Sequence, residues 1–130
     1  MKLNKLVLGL MISIAVPAVA HHSFEIEFDS KKTAPISGIV TKLDWINPHA
    51  YLYVESKDAS GAAKSWRIEM GPPYSLVRGG WKRDTIKIGD KVTVEGAAMA
   101  KDGGATAGAL ATTFLIEAPA LTSGKKLPMR

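Results

Sequence analysis

From Ile36 onward the apolar residues of this 130-residue chain recur mainly at every second position, in short runs broken by glycine and proline. That period is the repeat of a strand with one face in a core, and it leaves little room for long amphipathic helices. Lys64 to Met70 alternates cleanly, with Trp66, Ile68 and Met70 in the inward phase and Ser65, Arg67 and Glu69 in the outward one. Ile36, Gly38 and Val40 share one phase and Leu43 and Trp45 the other, so the alternation slips once, near a glycine; this predicts a bulge in a strongly bent strand.

Further punctuation sets the order of elements. Asn47-Pro48 marks a turn, Ala50 to Glu55 a second strand, and Lys57 to Gly61 the turn of a hairpin into the third. Gly71-Pro72-Pro73 stops that strand, Tyr74 to Arg78 is long enough for one or two helical turns entered through proline, and Gly79-Gly80 ends them. A fourth strand follows the Ile88-Gly89-Asp90 turn, with Val92 and Val94 inward, and a fifth is expected near Leu110 to Glu117. His21 to Asp29 also alternates and reads as an extended lead-in, and Lys31 to Pro35 as a polar connector. Three strands, a short helix and two more strands define the expected fold: all-β with one short helix, a small five-stranded OB-like Greek-key barrel. An open α+β sandwich is the rival arrangement.

The first twenty residues stand apart. Lys2 and Lys5, the apolar run Leu6 to Val16 and the small residues Ala18-Val19-Ala20 have the three regions of a cleaved signal peptide, and the apolar run is too short for a membrane anchor. The expected organisation is therefore a leader over 1–20 and one barrel domain over 21–130, exported to the periplasm, with no transmembrane anchor after cleavage. The leader carries two lysines and no acid, so the formal charge falls from +5 to +3 in the mature chain. That is far short of what nucleic-acid binding requires. The chain has no cysteine, so disulfides and thiolate metal sites are excluded and any metal must be held by nitrogen and oxygen.

Cleavage after Ala20 would make His21 the first residue, next to His22, with His49 the remaining histidine. An amino-terminal histidine chelates through its amine and its ring; a second imidazole completes a T-shaped nitrogen set, the tetragonal ligation that Cu(II) prefers and that resembles the histidine brace of exported copper proteins. The metal candidates are thus His21, His22 and His49, though neighbours on an extended chain point to opposite faces, so His21 and His22 do not both easily join His49. Zinc, with Glu25 or Asp44 as a further ligand, is the weaker metal reading. The bland alternative is a solvated end and a His49 ring satisfied within its turn.

A second constellation is aromatic. Tyr51 and Tyr53 share a face of one strand and Arg67 lies on the next; with Trp66 they are the candidates for a non-metal ligand or protein-interaction groove of the kind OB barrels carry on strands two and three. Core packing competes for Trp66, which is in phase with Ile68 and Met70. Arg78, Lys82, Arg83, Lys87 and Lys91, opposed only by Asp84 and Asp90, make a local positive patch that could face anionic lipid heads or polysaccharide, although such a run is commonly just a solvated face. No nucleophile, base and orienting acid are specified together, so binding rather than turnover is the expectation.

Several blocks in order, His21-His22-Ser23-Phe24, Trp45-Ile46-Asn47-Pro48-His49, Trp66-x-x-Glu69-x-Gly71, Arg78-Gly79-Gly80-Trp81 and Ile88-Gly89-Asp90-x-Val92, resemble the exported bacterial family named domain of unknown function 6152. The resemblance implies a small exported domain and brings no activity with it.

Overall fold

The computed structural model describes residues 24–109, 113–117 and 125–128; residues 1–20, expected as a leader, and His21 and His22 lie outside them. Among the described residues seven strands form one sheet: β1 (Phe28–Asp44), β2 (Tyr51–Lys57), β3 (Ala63–Glu69), β4 (Lys91–Ala100), β5 (Thr106–Gly108), β6 (Thr113–Glu117) and β7 (Lys125–Pro128). The short helix α1 (Pro73–Arg78) separates β3 from β4. The sheet closes because β1 pairs with both β2 and β4, while β3 pairs with β5 in parallel and β5 with β4 antiparallel. Strands β1, β2, β3, β5 and β4 thus make a five-stranded ring, the expected OB-like barrel; β6 continues along the edge of β4 that β5 pairs with, opposite the edge taken by β1, and β7 pairs with β6.

The slip in the alternation after Val40 is a bulge: the β1–β2 register shifts between Val40 and Lys42. It lets β1 bend, so that its second half closes on β2 while its first half pairs with β4. Leu52, Val54, Ile68, Met70, Val92, Val94 and Phe114 fill the barrel and are essentially inaccessible to water. Helix α1 starts with proline at its first position, and Gly80 beyond its end takes a left-handed φ of 93°.

Three expectations are corrected. Residues 31–35 are not a connector but part of β1, which runs for 17 residues; their side chains mostly face solvent, so no apolar period marks them, and it is pairing with Ala97 and Ala98 that holds them extended. Residues 24–27 are helical rather than extended. Phe24 and Phe28 are four apart and share a helical face, with ring centroids 5.0 Å apart, whereas Ile26, in phase with them on a strand, is 73% exposed. The strand expected near Leu110 to Glu117 is present as β6, but the chain joins this edge of β4 earlier than expected, at Thr106, as β5; Leu110 lies among the residues that are not described.

Candidate functional site

The hairpin joining β2 to β3 sets a register that places Tyr51 opposite Glu69 and Tyr53 opposite Arg67. Because strand side chains alternate, Leu52, Val54 and Ile68 turn into the barrel and these four turn out. From the other side β1 brings Asp44 opposite Tyr51 and Lys42 opposite Tyr53. The outer face is therefore a lattice of charges and rings. The Arg67 guanidinium lies over the Tyr51 ring at 4.0 Å, and the Lys42 ammonium over Tyr53 at 4.9 Å. Lys42 also donates to Asp44 at 2.9 Å, and that bond, helped by one from Tyr53, holds the Asp44 carboxyl below its ordinary range.

His49 reaches this face from the loop after β1. The Asn47-Pro48 bond is cis. Beyond it the chain is clamped to the end of β3, where Ala50 N–H donates to Gly71 and Met70 N–H donates to Ala50. The clamp points the imidazole at Glu69, with Nδ1 2.9 Å from Oε1. In the neutral ring, donation from Nδ1 leaves Nε2 as the nitrogen with the free lone pair. Removal from water pushes the Glu69 carboxyl up from its ordinary value, and Glu27 adds to this while His49 and Arg67 oppose it. Burial likewise raises the Tyr51 hydroxyl, with Glu69 contributing in the same sense. Glu27, His49, Tyr51, Arg67 and Glu69 enclose a polar pocket of about 180 Å³.

Glu27 belongs to the amino-terminal turn, which lies across the outside of the barrel. Its carbonyl accepts the Lys101 backbone N–H at 2.9 Å, and Lys101 Nζ donates to the Glu25 carbonyl. The Phe24 and Phe28 rings cover Gly108, which pairs in register with Glu69. The turn is thus docked beside the pocket, and His22 precedes Phe24 by two residues.

Of the residues singled out from sequence, His49, Tyr51 and Arg67 meet in one pocket, and Tyr53 is the next ring on the same face. Trp66 is separated from them: its ring packs partly against the core, its Nε1 donates to Ser56 at 3.1 Å, and Lys64 Nζ stands over it at 4.1 Å, in a different depression shared with Pro35, Ser37 and Lys57. His21 and His22 lie outside the described residues, among which no group of three or more His, Cys, Asp or Glu is placed to hold a metal ion. Sequence reasoning missed Glu27 and the pairing of Glu69 with His49. The hairpin register would have found Glu69, since it sets Tyr51, two residues beyond His49, directly opposite; Glu27 needed the helical turn.

Fold and site together define a small OB-like β-barrel with a polar, histidine-containing pocket on its outer face. The chain belongs to the family of unknown function DUF6152, whose profile matches residues 9–109. Neither the curated proteins nor the solved structures compared with it contain a match. Among the described residues, no helix is long and apolar enough to cross a membrane.

Proposed function

We propose that this protein is an exported, periplasmic metal-ion binder that takes copper between His49 and the chain end created by cleavage after Ala20. The observation that carries the reading is the 2.9 Å contact of His49 Nδ1 with Glu69. A carboxylate on the far nitrogen is the usual partner of a metal-ligating histidine: it fixes the ring and its tautomer and leaves Nε2 to bind. Docking of residues 24–27 beside the same pocket supports the second half of the reading. With consecutive Cα atoms about 3.8 Å apart, His22 is tethered within about 8 Å of Phe24, and His21 one residue further. The amine and ring of His21 with Nε2 of His49 supply the nitrogen set suited to Cu(II), with His22 and Tyr51 as outer partners.

Mass spectrometry of the exported protein should find His21 at its end. Titration with copper should then reveal one tight site, which His49→Ala weakens strongly and Glu69→Gln weakens about 10- to 100-fold, the usual effect of losing such a partner. Affinity unchanged in His49→Ala would leave the second reading, in which Arg67 and the Tyr51 and Tyr53 rings hold a small non-metal ligand or a protein partner. The 4.0 Å stacking of Arg67 on Tyr51 favours that alternative, since it holds a cation in fixed position at the pocket wall.

A further inference from the structure

The chain between β3 and β4 crosses one end of the barrel, and its side chains divide into two sets. Leu76, Trp81 and Ile86 are each no more than 3% exposed and join the core, with Trp81 edge-on to Phe114 at 5.1 Å. Asp90 is buried too, and its carboxylate accepts the Lys87 backbone N–H at 2.8 Å. A segment fastened down at four points has one side left for solvent. Exposed along the segment are three apolar residues, Tyr74 (66% exposed), Val77 (57%) and Ile88 (72%), and the spacing of Tyr74, Val77 and Arg78 puts those three on one face of α1. With them stand Arg78, Lys82, Arg83 and Lys87, all exposed and none in an ion pair with a described residue. Asp84 is the one exposed acid of the segment, because the charge of Asp90 faces inward.

We infer that this cap is a docking face for an anionic phospholipid surface. Four exposed cations answer the negative headgroup layer, and a tyrosine with two aliphatic side chains matches the boundary where headgroups meet acyl chains. The apolar trio decides between a membrane and a soluble polyanion, because a polymer in water would engage the cations and leave Val77 and Ile88 without a role. With so few insertable side chains and no long apolar helix among the described residues, the attachment is reversible and salt-sensitive. It is independent of the His49 pocket and would hold the barrel at a membrane whatever that pocket binds.

The test is sedimentation of the protein beginning at His21, so that the apolar leader contributes nothing, with phosphatidylcholine vesicles and with vesicles containing phosphatidylglycerol. Binding is expected to the second kind alone and should vanish near 1 M salt, where charges are screened within about 3 Å. The charge-reversed K82E/R83E protein should lose at least about tenfold in affinity, two cations having become repulsive. Tyr74→Ser with Ile88→Ser should also lose vesicle binding while retaining binding to heparin, a soluble polyanion. All four positions are exposed, so the variants should keep the native circular dichroism spectrum. Absence of binding to the anionic vesicles overturns the inference. So does vesicle binding by the Tyr74/Ile88 variant at wild-type strength, which would make the cap a simple polyanion site.

Discussion

Gly38 and Gly108 are two places where a side chain has no room, but for different reasons. A Cβ on Gly38 would lie 2.2 Å from the Glu55 carbonyl oxygen, where β1 leaves β2 to pair with β4. A Cβ on Gly108 would meet the Phe24 ring at 2.2 Å and Phe28 at 2.8 Å. The first obstacle is backbone within the closed ring and cannot yield without opening the barrel. The second is two rings, Phe24 on the turn laid over the outside and Phe28 at the very start of β1. The barrel is therefore closed by its own main chain, whereas the amino-terminal turn is held by packing and by Lys101.

The largest expected effect follows from the first glycine. Gly38→Ala should destabilise the whole protein by about 3 kcal/mol or more, the upper range for forcing extra volume into a packed site. A denaturant midpoint within error of wild type would show that the β1–β2 junction is pliable and that the contrast drawn between the two glycines is false. Gly108→Ala should cost less, on the order of 1 kcal/mol, because the rings can swing away from the added methyl. Its signature is local: faster proteolysis before residue 28 and, under the metal reading, weaker copper binding by a barrel that remains folded. Global unfolding by Gly108→Ala would instead make the turn part of the barrel's core.

The same division explains which features were legible in the sequence. Inside the ring each strand has one buried face, so a period of two located β2, β3 and β4, and the slip after Val40 located the bulge. The first half of β1 has no such face over residues 30–33 and passed for a connector. At the amino terminus Phe24, Ile26 and Phe28 satisfy a strand period while Phe24 and Phe28 alone satisfy a helical one, and only contact with Gly108 decides between them. The site inherits both outcomes. Tyr51, Tyr53 and Arg67 were readable as one face because the hairpin register is local. Glu27 was not, because its place depends on how the turn docks.

Glu69 sits at the boundary of the two regions and offers the finest test. Its folded-state pKa is raised, first by burial against the barrel and further by Glu27 of the turn. A carboxyl with a raised folded pKa binds its proton more tightly in the native state than in the unfolded chain. Its contribution to stability is complete below the unfolded value, near 4.5, and is lost as pH rises through the folded value. Wild-type stability should therefore decline over that window, and Glu69→Gln should remove this part of the decline, as urea midpoints measured at a series of pH values would record. Gly108→Ala should produce part of the same flattening without touching the carboxyl, because lifting the turn readmits water and takes Glu27 away. An unaltered slope in Gly108→Ala beside a flattened one in Glu69→Gln would mean that the barrel alone perturbs Glu69. The turn would then be a neighbour of the pocket and not one of its walls.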